Sequence, residues 1–143
     1  MNLYFCVVKK KEIHFRSDCP IGKTLDILGD KWSLLIVRDL VFKGKNTYGD
    51  FLNGGEGITT SVLADKLALL ECGGIISKGT HPESKAKILY SLTPKGIDLI
   101  PVLVEVIEWS EKHHEVHPFA TSFVKQLKKD KAGVIKMLRQ SLK

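Results

Sequence analysis

A chain of 143 residues with 43% hydrophobic and 27% charged residues fits one globular domain with a single core. No apolar run approaches the roughly 20 residues a membrane helix needs, so no membrane partner is expected. The N-terminus lacks a charged region followed by a small-residue cleavage site, and the three cysteines show no paired spacing. Both features point to a reducing, cytoplasmic compartment rather than a secreted disulfide scaffold. The net charge of +6 is uneven: residues 1–118 carry 15 Lys+Arg and 15 Asp+Glu, whereas residues 119–143 carry seven against Asp130 alone. The whole excess lies in the tail, whose plainest reading is a solvated helix face.

Residues 1–18 form an N-terminal arm. Leu3, Phe5 and Val7 alternate, as do Ile13 and Phe15, which fits a short strand or an extended segment that wraps a partner subunit. A first helix starts at Pro20, with Ile21, Leu25 and Leu28 on one stripe and Gly29 as a left-handed stop. Asp30 is expected to cap a second helix over about residues 31–42, whose Leu, Ile and Val content marks the core. Thr47, with Asp50 three residues on, caps a third helix in a capping box, and the run Asn53 to Gly57 breaks it. Thr59 caps a fourth helix to about Cys72. Leu63, Leu67 and Leu70 face inward on it, and Ser61, Asp65 and Ala68 face outward with Ala64 beside them.

Two strands follow, Ile75 to Thr80 and Ile88 to Leu92, joined by a polar connection over residues 81–87 that reads as a long hairpin tip. Thr93 and Pro94 open a long helix to about His114, with Ile97, Ile100, Leu103, Val104 and Ile107 along it. His117 and Pro118 break it. Val124, Leu127, Val134, Ile135, Leu138 and Leu142 suggest one or two amphipathic helices in the tail. The domain boundaries are therefore an arm at 1–18, a main domain at 19–115 and a basic amphipathic tail at 116–143.

Helix, turn, helix, then a hairpin with a basic tip is the layout of a winged helix-turn-helix. The fold class is mainly α with a small β-hairpin wing. Such a shape offers one helix to the major groove of double-stranded DNA, N-terminus first. Thr59 and Thr60 lie where free backbone N–H groups favour a phosphate. The hydroxyls of Thr60 and Ser61 suit phosphate or base edges, Ala64 suits a thymine methyl, and Asp65 suits a cytosine amino group while repelling phosphates. Lys66 lies to the side, towards the backbone. Lys78, Lys85 and Lys87, with His81 when protonated, suit phosphates beside the wing and set register rather than sequence. The competing reading is a winged-helix protein-interaction module without a specific DNA site.

The run Gly57-Ile58-Thr59-Thr60-Ser61-Val62-Leu63-Ala64, then Leu67, Leu70-Glu71 and Gly74-Ile75-Ile76, then Tyr90-Ser91-Leu92-Thr93-Pro94-Lys95-Gly96 resembles the HxlR-type transcriptional regulators, relatives of the MarR group. Upstream, Cys19-Pro20, Leu25, Gly29-Asp30-Lys31-Trp32 and Leu34-Leu35-Ile36 fit in the same order, so the resemblance spans about residues 19–114. It implies a transcriptional regulator, more often a repressor, acting as a homodimer on a near-palindromic operator and responding to a small-molecule or oxidant effector. The family places more Arg, Lys or Gln on the outer face of the reading helix, and Arg in the wing. This chain has Thr60, Ser61, Ala64 and Asp65 on that face, and lysines in the wing.

The resemblance also implies an oxidant- or electrophile-sensing role for Cys19. Its place at the start of a helix, with Lys23 one turn on, favours a thiolate; the competing reading is a cap residue with no redox role. Ile21, Leu25, Leu103, Ile107 and Trp109 are surplus apolar residues for so small a domain and are the expected dimer interface. An effector pocket, where one exists, is expected between the first helix and the long one. His113, His114 and His117 lack a completing ligand set, so no metal is expected. The glycines at 54, 55 and 57 follow a helix rather than a strand and cradle no dinucleotide. No Ser/His/Asp or paired-carboxylate set can be assembled, so neither an enzyme nor a cofactor is expected.

Overall fold

The computed structural model describes residues 13–142. The Leu3, Phe5, Val7 alternation of the arm, the Lys9 to Lys11 run and Cys6 lie outside the described residues. Residues 13–18 form no strand, contrary to the alternation of Ile13 and Phe15. An ion pair shapes this segment instead: Arg16 Nε sits 2.7 Å from Asp26 Oδ1, and its backbone N–H donates to Asp26 Oδ2 at 3.1 Å. The chain divides into two units, one ending at Thr93 and one beginning at Pro94.

The first unit holds α1 (Pro20–Leu28), α2 (Ser33–Phe42), α3 (Tyr48–Leu52), α4 (Thr60–Cys72) and an antiparallel hairpin of β1 (Ile76–His81) and β2 (Ser84–Leu92). Gly29 ends α1, but in the right-handed region at φ −78°, ψ −8° rather than the left-handed one expected. The residue type has a different cause: a Cβ there would overlap the carbonyl oxygen of Leu25, to which the Gly29 N–H donates at 2.8 Å. Helix α2 starts two residues later than expected. Asp30 still supplies its cap, since Oδ1 accepts from the N–H groups of Trp32 at 2.8 Å and Ser33 at 2.9 Å, while Oδ2 accepts from Ser33 Oγ at 2.6 Å. Burial pushes the Asp30 carboxyl up, but these bonds and the Lys66 charge win and hold it below its ordinary range.

The capping box of α3 forms as expected. Thr47 Oγ1 accepts from the Asp50 N–H at 3.2 Å, and Asp50 Oδ2 accepts from the Thr47 N–H at 3.2 Å. Gly55 and Gly57 take φ of +83° and +76°, which lets the chain turn tightly from α3 into α4. Leu63, Leu67 and Leu70 of α4 are buried together with Val37 of α2 and Ile76 of β1. The hairpin is longer than the sequence suggests and its tip shorter: only Pro82 and Glu83 lie outside the strands. Register runs from Ile76 opposite Leu92 to Thr80 opposite Ile88, then breaks before His81 opposite Ser84, and this irregularity absorbs Lys85, Ala86 and Lys87. Side-chain polarity misleads here because these strand residues are exposed, so pairing rests on backbone bonds rather than on a buried face.

The second unit holds α5 (Pro94–Ile97), α6 (Ile100–His113) and α7 (Pro118–Ser141). The expected continuous helix from Pro94 to His114 is interrupted at Asp98 and Leu99. Pro101 is the reason: it has no N–H to give to residue 97, and its ring crowds that carbonyl, so the chain restarts with Pro101 in the first turn of α6. Helix α7 is one span with a kink at Asp130 (φ −157°, ψ 78°). Asp130 Oδ1 accepts from the Gly133 N–H at 3.0 Å and so recaps the second half. Lys131 pairs with Glu105 and lies 3.1 Å from Glu108, and Arg139 lies 2.8 Å from Asp98, which ties α7 to the residues of α6 and the turn before it. No helix among the described residues is long and apolar enough to cross a membrane.

Candidate nucleic-acid interface

Helix α4 is positioned at both ends by bonds that the hydrophobic pattern alone does not reveal. At its start Thr59 Oγ1 accepts from the Val62 N–H at 3.4 Å, and Tyr48 Oη donates to the carbonyl of Thr60 at 3.0 Å. At its end the chain turns through Gly74 (φ +72°), and the Thr93 hydroxyl bonds to the Gly74 carbonyl. The Tyr48 bond passes from α3 to the first turn of α4, so the two helices of the turn motif are joined by a side chain as well as by packing. Thr59, Thr60, Ser61, Ala64 and Asp65 are all exposed along one side of α4, as the 100° spacing requires.

The cations near this face are unequal. Lys66 is partly buried and lies 4.0 Å from Asp30 Oδ2. Lys78 lies 3.3 Å from Glu71 Oε2. Lys85 and Lys87 are exposed on β2, and neither has an ion pair among the described residues. His81 Nδ1 accepts from the Glu83 N–H at 3.1 Å, which holds the hairpin turn. The wing therefore offers Lys85 and Lys87 outward, whereas Lys66 and Lys78 are engaged with acids.

A network with little trace in the sequence supports the turn before α4. Arg38 donates from Nε to Asp39 Oδ1 at 2.9 Å and from Nη1 to Glu56 Oε1 at 2.8 Å. Asp39 is only 4% exposed. Burial works against the Arg38 charge, but the bonds to Glu56 and Asp39 win and hold its pKa above the ordinary value. The Arg38 bond correspondingly holds the Glu56 carboxyl low. The one available clue is an Arg-Asp pair inside an otherwise apolar helix, since a buried carboxylate needs a partner. An open cleft of about 590 Å³ lies between α3 and β2, lined by Lys45, Thr47, Tyr48, Asp50, Lys87 and Tyr90. Burial pushes the Tyr90 phenol above its ordinary pKa, with the Glu71 charge adding to it.

Away from this face, Cys19 is exposed and its Sγ accepts from the Gly22 N–H at 3.5 Å, so it does occupy the cap of α1. Ile21, Leu25 and Trp109 are 70%, 52% and 61% exposed, Ile107 is half-buried, and Leu103 is 5% exposed within the single chain. Leu103 thus serves its own chain's core and is not free to face a partner. Trp109 lies tilted against the His113 ring and edge-on to the His114 ring, at centroid distances of 5.2 and 5.4 Å, and His117 Nδ1 accepts from the Phe119 N–H at 3.2 Å.

A capped helix beside a two-stranded wing, with the helix's outer side exposed, defines a winged helix-turn-helix protein. Similarity to known proteins narrows the class. The model of the HxlR-like helix-turn-helix family matches residues 27–118. The HTH-type transcriptional regulator sll1512 of Synechocystis sp. is 41% identical over 86 residues, which are 60% of this chain and 63% of that protein. The HTH-type transcriptional regulator YdeP of Bacillus subtilis is 33% identical over 111 residues, which are 75% of this chain and 86% of YdeP. The solved structure of the redox regulator HypR in its oxidized form superposes with a TM-score of 0.60 at 31% identity, covering 68% of this chain and all of HypR. The chain belongs to the HxlR-like helix-turn-helix family, a family of transcriptional regulators rather than enzymes.

Proposed function

We propose that this chain binds double-stranded DNA as a homodimer in the cytoplasm and represses transcription from a near-palindromic operator. The observation that carries the proposal is the exposed row Thr59, Thr60, Ser61, Ala64 and Asp65 on a helix fixed by the Thr59 cap and the Tyr48 bond. In this assignment residues 19–115 read and pair, and residues 116–143 are an appended tail. The first turn of α4 enters the major groove, and Thr60 and Ser61 meet base edges or phosphates. Ala64 contacts a thymine methyl, and Asp65 accepts from a cytosine amino group. Lys66 and Lys78 exchange an acid for a phosphate, and His81, Lys85 and Lys87 follow the backbone beside the wing. Ile21, Leu25, Ile107 and Trp109 meet the partner subunit, and the two reading helices stand about 34 Å apart. Selection from random duplex DNA at physiological salt tests this. An enriched near-palindrome is the expected result, and no enrichment from folded, dimeric protein leaves the interaction module as the better account.

Cys19 is the proposed sensor. Its exposure and its seat at the N-terminus of α1 support this reading, and the similarity to a redox regulator points the same way. Two Cys19 thiols, one from each subunit, lose two protons and two electrons to a two-electron oxidant such as diamide and form one disulfide. Cys19→Ser is expected to bind the operator normally and to stay bound when diamide is added. Diamide release that persists in that variant refutes the role.

A further inference from the structure

The reading surface of this chain and its positive charge lie in different places. Helix α4 carries a single cation, Lys66, which is held near Asp30, and Lys78 of β1 is held by Glu71. Residues 1–118 are neutral in sum, and the whole excess charge lies beyond them. Within α7, Lys131 and Arg139 are committed to Glu105, Glu108 and Asp98. Val124 and Leu127 are buried on one side of the same helix. Lys125, Lys128 and Lys129 stand exposed at i, i+3 and i+4, and none of them has an ion pair among the described residues. The tail's one acid, Asp130, is used to accept from the Gly133 N–H. Like charges at this spacing destabilise a helix by themselves, so the cluster carries a small standing cost that a polyanion would remove.

We propose that the Lys125, Lys128 and Lys129 face of α7 is a second DNA surface, which binds duplex phosphates and adds to the sequence-independent share of affinity that the wing lysines begin. The proposal rests on the reading that the chain binds duplex DNA. It commits to the phosphate backbone as partner through charge complementarity: three uncommitted cations on one face meet a regular row of anions. The face adds attraction without base selectivity, because lysine ammonium groups neutralise phosphates and release counterions regardless of sequence.

The test compares the full chain with K125Q/K128Q/K129Q on a selected operator duplex and on a scrambled duplex of equal length, across a salt series. The expected result is equal weakening on both duplexes. The slope of log K against log salt should fall by about 0.9 for each phosphate that a lysine no longer neutralises, up to about 3 in all. K125R/K128R/K129R should keep the wild-type slope. An unchanged slope in the Gln variant, or weakening confined to the operator, overturns the proposal. Lys85→Ala separates the tail surface from the DNA-binding reading beneath it. A reduced slope for that variant beside an unchanged slope for the tail variant removes the tail surface and leaves the DNA-binding reading intact. A wild-type chain without salt-dependent duplex binding removes both. These lysines have no ion pair among the described residues and Gln removes only their mutual repulsion, so K125Q/K128Q/K129Q should melt at or slightly above the wild-type midpoint, which keeps a loss of binding apart from a loss of folding.

Discussion

Helices α4 and α7 both bury an apolar stripe, yet they use their outer faces differently. Helix α4 places Thr60, Ser61, Ala64 and Asp65 outward, with one engaged lysine. Helix α7 places Lys125, Lys128 and Lys129 outward, and uses Lys131 and Arg139 to hold its neighbours. Short hydroxyl and methyl side chains discriminate base edges at close range, whereas ammonium groups set against phosphates attract without regard to sequence. Selectivity and attraction therefore need not share a surface. A net charge summed over the chain says little about where DNA is read.

The strongest response should come from the core beneath α4, which holds its outer row in place. Leu63 is 0% exposed, so Leu63→Ala should cost about 2–5 kcal/mol in urea unfolding and abolish binding indirectly. A smaller effect follows from the cap of α2. Asp30→Ala should cost about 1–2 kcal/mol at neutral pH. The Asp30 carboxyl titrates lower in the folded chain than in the unfolded one. Its contribution is therefore present above about pH 4, the ordinary carboxylate range, and fades as pH falls through the folded value. Wild type and Asp30→Ala should converge in acid, and a gap that widens there contradicts the assignment.

Three further changes probe the reading face itself. Thr60→Ala and Ser61→Ala should each weaken operator binding by about 0.5–1.5 kcal/mol in a binding titration, with little change on scrambled duplex. Asp65→Asn should act in the other direction on scrambled duplex: removing one negative charge near phosphates strengthens non-selective binding and narrows the operator preference. The weakest response belongs to the wing, where Lys85→Ala should lower the salt slope by about 0.9 and leave the preferred sequence unchanged.

Several elements are legible in the chain because their causes are local. The Thr47 and Asp50 box, the Thr59 cap, the buried Leu63, Leu67 and Leu70 stripe and the cap position of Cys19 each depend on residues within one or two turns. The wing is legible in place but not in length, since its exposed strand residues carry no alternation of burial to read. The break before α6 is hidden because apolar spacing continues across Pro101; a missing backbone donor does not disturb that spacing.

The order of elements and the location of the excess charge follow from the amino-acid sequence without help, because both are properties of neighbouring residues or simple sums, and the family follows from the resemblance of its motifs. Only the tertiary structure decides which charges are available. Lys66 and Lys78 read as free cations until Asp30 and Glu71 are found beside them. Arg38 and Tyr48 read as ordinary helix residues until they reach Glu56 and the Thr60 carbonyl, 18 and 12 residues away along the chain. A side chain's availability depends on what folding brings within a few ångströms of it, and spacing along the chain does not report that distance.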